Sequence, residues 1–303
     1  MGAELIVGID WGTSNRRAYV LDARGALLRR HEDAMGILSV EGDYRGSLQA
    51  LLARLEVERG EVLMSGMVGS RNGWHQVPYL STSAPLTALA EALFEVPDAP
   101  QGLRCRIVPG YSHVDSNGLP DVMRGEETQL LGALALGAEQ GASGWFLLPG
   151  THSKWANVDN GRIVEFFTYM TGELYALLTT HGTLARVAQA DESVSEAFAA
   201  GLQAARHGSF SHLAFCCRAL VVTDAMPASH TTSWLSGLLI GSELYDILRR
   251  VPSGMPQTVQ VVGSPALARR YMAALELLGI PARTWEPDEV YLAALRILAG
   301  LPR

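Results

Sequence analysis

Leu5-Ile6-Val7-Gly8-Ile9-Asp10 runs into the turn Gly12-Thr13-Ser14-Asn15, and the second half of the chain repeats this pattern. There Trp145-Phe146-Leu147-Leu148-Pro149 runs into Gly150-Thr151-His152-Ser153. In each copy an alternating apolar stretch and a turn rich in Asp and Gly follow, within 17–25 and 154–161. The sequence therefore predicts two hairpins of one design, each followed by a third strand.

The residues of the two turns are suited to holding an anion. Glycine lets the backbone approach a ligand closely and adopt positive φ, and successive N–H groups can then surround a phosphate. Two such turns on two similar halves indicate a phosphate chain clasped between two domains, and so favour an ATP-dependent phosphotransferase. The candidate phosphate-binding residues are Gly12, Thr13, Ser14, Asn15, Gly150, Thr151 and His152.

The composition describes a globular protein with a large core and argues against several other classes. Its 303 residues suit two domains, and 48% are hydrophobic against 18% charged. A net charge of −7 argues against a nucleic-acid partner. No charge-free apolar run reaches the roughly 18 residues of a membrane span, and the N-terminus lacks a signal-peptide pattern. We expect a cytoplasmic protein that acts on a small molecule, with a homo-oligomer left open.

The second half restarts the pattern of the first, with three strands and then alternating helices and strands. An internal repeat of this size predicts a duplicated α/β fold. We place an N-terminal domain at 1–125 and a C-terminal domain at 126–303, with the boundary somewhere within 110–144. Strands are predicted at 4–10, 16–23, 26–34, 61–68, 104–109, three from 145 onward, 259–263 and 282–285; helices at 44–58, 85–95, 126–139, 172–178, 183–206, 234–250, 265–278 and 288–299; and a loop at 110–120.

Six short motifs occur in order along nearly the whole chain. They are Asp10–Asn15 with Arg17, Gly66–Ser70 with Gly73 and Trp74, Met123–Gln129, Pro149–Trp155, Met170–Leu174 and Leu235–Gly241. The element order resembles the actin–hexokinase–chaperone ATPase superfold, a duplicated ribonuclease H-like fold with nucleotide in a cleft between two domains. Within it, the motifs resemble the 2-dehydro-3-deoxygalactonokinases, sugar-acid kinases of galactonate degradation. The resemblance implies phosphoryl transfer from Mg-ATP to O6 of 2-dehydro-3-deoxy-D-galactonate.

Three acidic residues are candidates for the metal and proton chemistry. Asp10 ends the first strand and can hold Mg²⁺ through water, since magnesium binds few protein carboxylates; the alternative is an Asx cap. Kinases of this superfold similar to glycerol and xylulose kinases have a Gly-Asp step whose carboxylate accepts the sugar hydroxyl proton. The corresponding step here is Gly125-Glu126-Glu127, which favours Glu126 as the base and Glu127 second. Both glutamates could instead complement the dipole of their helix.

Two basic residues occupy matching places just beyond the two turns. Lys154 is the single lysine among 24 basic residues, and Arg17 is its counterpart in the first half. Either can neutralise charge on the transferring phosphoryl group or hold a substrate carboxylate. The residues alone do not assign these roles, and a solvated lysine or an arginine covering its strand are the alternatives.

The glycine-rich loop at 66–74 follows a buried strand, where open α/β sheets bind ligands. Arg71 and Asn72 in this loop are candidates for the carboxylate and hydroxyls of a sugar acid, and Arg124 is another. Trp74 either stacks on the sugar or packs the loop.

Two motifs of the second half have less specific signals. Gly263 and Ser264 join a buried strand to a helix, and the resemblance implies that this junction backs the adenosine. A second glycine that is often present there is replaced by Ser264. Thr171 is predicted to cap a helix, without a catalytic role.

Two other functions compete with this interpretation. A kinase of the same superfold for another acid, such as 2-dehydro-3-deoxygluconate, would have the same turns and base. A non-kinase ATP-binding module, either a regulator or a switch, could dispense with the acceptor site. The Arg71–Asn72 loop and a carboxylate base argue against such a module.

Overall fold

The computed structural model describes residues 5–137, 143–188, 194–251 and 258–302. The described residues group into two compact units. The first comprises those of Met1–Ser143, Ala156–Phe166 and Trp285–Arg303, and the second those of Gly144–Trp155 and Phe167–Thr284. The first change of unit, after Ser143, falls inside the range given for the boundary. The last segment differs from the division made on the sequence, since it groups with the first unit.

The strands form three sheets. Their bounds are β1 Leu5–Trp11, β2 Arg16–Leu21, β3 Leu27–Asp33, β4 Gly60–Gly66, β5 Leu80–Ser81, β6 Phe94–Glu95, β7 Leu103–Ile107, β8 Tyr111–Val114, β9 Pro120–Met123, β10 Gly144–Leu148, β11 Ser153–Asp159, β12 Arg162–Tyr169, β13 Val259–Val262 and β14 Ala282–Trp285. The strand orders are β3-β2-β1-β4-β7-β6, β12-β11-β10-β13-β14 and β5-β8-β9.

The two larger sheets share one plan. Each places three consecutive strands side by side, with the first of them next to a strand that comes later in the chain. β1 is antiparallel to β2 and parallel to β4, and β10 is parallel to β13. The shared order confirms the duplicated α/β fold that the repeat predicted.

The helices cover the sheets. They are α1 Tyr44–Arg54, α2 Glu126–Leu136, α3 Thr171–Thr180, α4 Gly182–Ala185, α5 Ser195–Ala204, α6 Phe210–Val222, α7 Thr231–Arg250, α8 Pro265–Leu277 and α9 Pro287–Leu298. In the first unit, Leu48 and Leu52 of α1 join the buried residues of β1 and β4 in one core cluster. In the second, Leu244 and Ile247 of α7 join those of β10 and β13. Among the described residues, no helix is both long and apolar enough to cross a membrane.

The C-terminal helix α9 belongs to the first unit because it packs on α2 and on the first sheet. A Cβ at Gly132 of α2 would lie 1.9 Å from the Val290 carbonyl oxygen, so only glycine allows this approach. The hydroxyl of Tyr19 on β2 donates to Asp288 at 2.7 Å. The Ser65 and Tyr291 hydroxyls share a buried hydrogen bond of 3.2 Å.

Two predictions for the first half were wrong. The helix expected at 85–95 is a short 3₁₀-helix, Leu86–Ala90, followed by β6. Phe94 pairs with Ile107 of β7, and the residue before a proline, here Val96, favours extended backbone. The loop expected at 110–120 contains β8 and the start of β9. Its polar residues form only the hairpin tip, where Asp115 accepts hydrogen bonds from the N–H groups of Asn117 and Leu119.

The helices of the second half also differ from their predictions. In place of one helix at 183–206 the structure has α4 and α5, and 189–193 lie outside the described residues. Helix α6 was not predicted, although Leu213, Ala214 and Cys217 bury one face at helical spacing. Residues 138–139 of the helix predicted at 126–139, and residue 4 of the first strand, also lie outside the described residues.

The glycines of the Leu235–Gly241 motif allow α5 and α7 to pack closely. A Cβ at Gly237 would lie 2.0 Å from the Phe198 carbonyl oxygen, and one at Gly201 would lie 1.9 Å from that of Trp234. Each helix therefore presents a glycine to the backbone of the other. Helix packing thus explains Gly237 of this motif.

We predict that Gly237→Ala lowers the free energy of unfolding by about 1–3 kcal/mol, the usual cost of overpacking a core. Thermal unfolding followed by circular dichroism measures it. Gly208→Ala is the matched control, because a Cβ there would meet Leu213 at ordinary distances of 3.7–3.8 Å. Equal melting temperatures for the two variants would contradict the proposed role of Gly237.

Candidate functional site

The first turn, Gly12–Asn15, is fixed through its carbonyl groups. The N–H of Gly12 donates to the Asn15 carbonyl at 2.9 Å. The carbonyls of Gly12, Thr13 and Ser14 accept hydrogen bonds of 3.0–3.2 Å from the N–H groups of residues 36–38. The side chains of residues 13–15 are exposed. The turn is thus rigid on one side and presents its hydroxyls to solvent on the other.

The second turn has the same construction. The N–H of Glu173 donates to the Thr151 carbonyl at 2.9 Å. Thr151 and His152 are exposed, and His152 Nε2 lies 2.6 Å from Glu173 Oε2. The start of α3 therefore lies behind this turn as residues 36–38 lie behind the first.

A glycine makes each of these backing contacts possible. A Cβ at Gly36 would lie 2.3 Å from the Thr13 carbonyl oxygen, and one at Gly172 would lie 2.3 Å from that of Gly150. Neither role was predicted from the sequence, where Thr171 was expected only to cap a helix. The available signal was a glycine after the third strand in each half of the repeat. Thr171 itself is the first residue of α3, after the cap at Met170.

Asp10 and Arg17 form an ion pair on the first hairpin. Arg17 Nη2 donates to Asp10 Oδ2 at 2.6 Å, and both side chains are partly exposed. Oδ1 of Asp10 faces Gly66, because a Cβ there would lie 3.4 Å from it. One carboxylate oxygen is thus committed to the arginine, whereas the other borders the end of β4.

The Gly125-Glu126-Glu127 step lies next to Asp10. A Cβ at Gly125 would lie 3.2 Å from Gly66 Cα, so the start of α2 meets the end of β4. Both Glu127 oxygens accept from the Gly125 N–H, at 2.9 and 2.7 Å, and this carboxyl is completely buried. Burial, together with the charge of Glu126, raises the pKa of Glu127 to about 8. Glu126 is only half-buried and accepts from the Arg124 N–H at 3.0 Å.

The loop at 66–74 is held by backbone bonds and by an aromatic stack. Trp74 stacks on Tyr44, with centroids 6.5 Å apart and an angle of 10° between the rings. Its indole N–H donates to Asp98 at 3.1 Å. These contacts favour packing as the role of Trp74. Arg71 and Asn72 are exposed on the same loop.

Arg124 lies beneath that loop. Its Nη2 donates to the Val77 carbonyl at 2.6 Å, and its guanidinium lies 4.3 Å from the centroid of the Tyr79 ring. Nε and Nη1 are buried with no hydrogen-bond partner among the described residues, and the same is true of Ser70 Oγ. A Cβ at Gly69 would lie 2.8 Å from Nη1. Buried unsatisfied donors are costly, which makes these atoms candidates for a ligand's oxygens.

Lys154 is buried in β11, so it is not the solvated surface lysine of the alternative interpretation. It is 5% exposed, and its Nζ donates to the Thr168 hydroxyl at 2.8 Å. The lysine thus has a fixed position one residue beyond the turn.

A solvent-open cavity of about 50 Å³ lies in the second unit beside the second turn. Apolar side chains of α7 and α8 form part of its wall, and Arg270 Nη1 donates to the Ser236 hydroxyl there at 3.0 Å. Ligand pockets commonly combine such apolar walls with a few placed polar groups. The cavity is lined by Gly150, Thr171, Gly172, Tyr175, Ser236, Leu239, Ile240, Leu267, Arg270 and Tyr271.

Gly263 and Ser264 lie close to this region but do not line the cavity. A Cβ at Gly263 would lie 2.8 Å from the Pro149 ring, so this glycine lets the end of β13 approach the turn. Ser264 precedes the first turn of α8 and is exposed.

Glu243 of α7 is a buried carboxylate that sequence reasoning missed. It accepts hydrogen bonds from Trp155 Nε1 at 2.7 Å and from the hydroxyls of Tyr271, at 2.8 Å, and Thr171. Burial raises the pKa of Glu243 to about 7 against the opposing effect of these donors. The only sequence signal was an acid next to the apolar Leu235–Gly241 motif.

Comparison with known proteins shows the family of the chain. Residues 10–298 match the family model described as 2-keto-3-deoxy-galactonokinase. A 2-dehydro-3-deoxygalactonokinase of Escherichia coli K12 is 34% identical over 97% of both chains. A probable 2-dehydro-3-deoxygalactonokinase of Rhizobium meliloti is 36% identical over 96% of this chain and 95% of the relative. A crystal structure from Sinorhizobium meliloti, assigned to the same kinase, aligns with a TM-score of 0.88 at 34% identity, over 97% of this chain and 95% of that one.

The duplicated fold, with a glycine-backed turn in each unit, defines a phosphotransferase of the actin-like ATPase class. The chain belongs to the 2-keto-3-deoxygalactonokinase family, as its six motifs predicted.

We predict that Glu126→Gln and Glu127→Gln have different effects on the kinase. Glu126→Gln should lower kcat by about 10²–10⁴, the range for loss of a general base, because only Glu126 is accessible to a substrate hydroxyl. Steady-state kinetics with ATP and the sugar acid measures this loss. A larger loss of kcat in Glu127→Gln would transfer the role to Glu127.

We predict that Glu127→Gln changes the pH dependence of stability. Between its unfolded pKa of 4.5 and its folded pKa of about 8, native Glu127 retains a proton that the unfolded chain has released. Stability therefore falls as pH rises through this window, and the glutamine variant should lose part of that fall. Melting temperatures of both proteins at several pH values from 5 to about 9 measure it. Parallel curves would contradict the assignment.

Proposed function

We propose that this protein is an ATP-dependent kinase that phosphorylates 2-dehydro-3-deoxy-D-galactonate at O6. The observation that carries the proposal is the pair of glycine-backed turns in a chain of this family. Relatives that share about a third of its sequence over nearly their whole length are named for this kinase. Membership in a kinase family also implies the use of ATP.

The second unit is the proposed nucleotide site. Its cavity begins at Gly150 and continues between α7 and α8, so a base in the cavity would have its phosphates near the turn. Leu239, Ile240 and Leu267 offer the apolar surface that a purine requires. The hydroxyl and N–H groups at Thr151 and His152 would hold phosphate oxygens.

Asp10 is the proposed Mg²⁺ ligand. No group of three or more His, Cys, Asp or Glu side chains that could hold a metal exists among the described residues. A single carboxylate still fits magnesium, which keeps several waters and is often bound by one or two carboxylates and substrate phosphates. Oδ1 of Asp10, on the side of Gly66, is the oxygen that would face the ion's water. When bound, magnesium would neutralise phosphate charge.

The first unit is the proposed sugar-acid site. Glu126 would accept the proton of the attacking hydroxyl, because of the two neighbouring carboxylates, Glu126 and Glu127, it is the accessible one. Glu127 would hold the start of α2 through Gly125. The acid's carboxylate would bind Arg124, which has two buried N–H groups with no partner among the described residues, and Arg71 and Asn72 would be available for its hydroxyls.

The two basic residues beyond the turns would have different roles. Lys154, buried and fixed by Thr168, would stabilise the charge of the transferring phosphoryl group. Arg17 would orient Asp10 through their ion pair.

We expect Mg-ATP-dependent release of ADP with 2-dehydro-3-deoxygalactonate, at a much higher kcat/KM than with its gluconate epimer. A coupled assay with both epimers, galactonate, galactose and glycerol measures this. Comparable kcat/KM values for the two epimers would leave a kinase with broader specificity. Folded protein that binds ATP but releases ADP with none of these acceptors would contradict the kinase and favour a binding module.

We expect Asp10→Asn to lower kcat by at least about 10², since a neutral amide supports neither the ion nor the pairing with Arg17. A titration of magnesium in the kinetic assay should show a raised requirement for the ion. Asp98→Asn is the control, because that carboxylate is exposed and contacts Trp74 and His75 instead of the turn. Unchanged magnesium dependence in Asp10→Asn would remove Asp10 from the metal site.

A further inference from the structure

Glu243 sits where three parts of the second unit meet. Its donors come from β11 (Trp155), from the first residue of α3 (Thr171) and from α8 (Tyr271). Thr171 and Tyr271 also line the cavity. Through these contacts a single side chain outside the cavity joins two walls of the cavity to the strand after the turn.

The hydrogen bonds around Glu243 have one consistent direction. Trp155 can only donate, and a carboxylate can only accept. The Tyr271 hydroxyl donates to Glu243, and the Ser153 hydroxyl lies 2.7 Å from that of Tyr271. An ionised Glu243 therefore orients the hydroxyls of Thr171 and Tyr271.

Holding a core together with this buried carboxylate costs more free energy than holding it with an apolar side chain. It is 2% exposed, and no lysine, arginine or histidine forms a salt bridge with it in the described part of the chain. Burying a charge without a counter-ion costs free energy that neutral donors only partly offset. An apolar side chain would be sufficient for packing alone. The buried carboxylate therefore indicates that the side chains hydrogen-bonded to it need fixed positions.

We propose that Glu243 is a positioning residue for the nucleotide site, which rests on the proposed function of the second unit. By fixing Thr171, Tyr271 and the Ser153–Trp155 segment together, it sets the spacing between the phosphate turn and the cavity. Loss of its charge frees those hydroxyls to rotate. The cavity and the turn then no longer have the spacing at which the base and the phosphates of one nucleotide bind together.

The test is Glu243→Gln, which has almost the same shape. Its amide oxygen can accept from Trp155, but its NH₂ must face Thr171 and Tyr271, which reverses the direction of the hydroxyl chain. We expect KM for ATP to rise about tenfold, the effect of one misdirected buried hydrogen bond, with KM for the sugar acid within about twofold of wild type. Glu276→Gln, an exposed position on α8, is the matched control and should leave both values unchanged.

A purely structural role predicts a different result. In that case the melting temperature of Glu243→Gln falls while KM for ATP stays equal to that of Glu276→Gln, and this outcome would overturn the proposal. If Glu243→Gln does not fold, Tyr271→Phe keeps the ring in the cavity wall and removes the hydroxyl that links Ser153 to Glu243. A KM for ATP unchanged in that variant would also overturn the proposal.

The two proposals can fail separately. Wild-type protein that releases no ADP with any acceptor contradicts the kinase, whereas Glu243 can still be tested by the equilibrium Kd for ATP. A Kd raised about tenfold in Glu243→Gln supports the positioning role, and a Kd equal to that of wild type overturns it.

Discussion

Each half of this protein depends on a backbone contact that only glycine permits. The carbonyls of a Gly-Thr turn lie against a segment that follows the third strand, at Gly36 in one half and Gly172 in the other, where a Cβ would lie 2.3 Å from a carbonyl oxygen. Once its carbonyls are fixed, a turn cannot rotate, and its exposed polar side chains have a set direction. Rigid donors placed before the reaction are what phosphoryl transfer requires of a protein.

The two halves share this backbone arrangement but carry different polar side chains around it. The first carries Asp10 two residues before the glycine of its turn, whereas the second has Leu148 at the equivalent place and so lacks the carboxylate. The second carries the buried Lys154 and a cavity. The two halves thus share a glycine-backed turn, and the side chains around the two turns differ, as the proposed division into a metal and acid site and a nucleotide site requires.

The sequence was informative where local chemistry determines the structure. The repeat predicted both sheets and both turns, because apolar alternation and glycine position are local properties. The helix predicted at 85–95 failed because pairing of Phe94 with Ile107 is a tertiary contact. Glu243 could not be found from the sequence, since its partners Trp155, Thr171 and Tyr271 are far apart along the chain. The fully buried Glu127 likewise looked no different from its neighbour Glu126.

The two buried glutamates illustrate why burial alone does not identify a catalytic base. Glu127 accepts from the N–H of Gly125, two residues away, so its carboxyl caps its own helix and keeps Glu126 in place. Glu243 is 2% exposed and accepts from three elements that are distant along the chain. A general base must be within reach of the proton it removes. Of the three glutamates only Glu126 is partly exposed, which is why we propose it as the base and the other two as positioning residues.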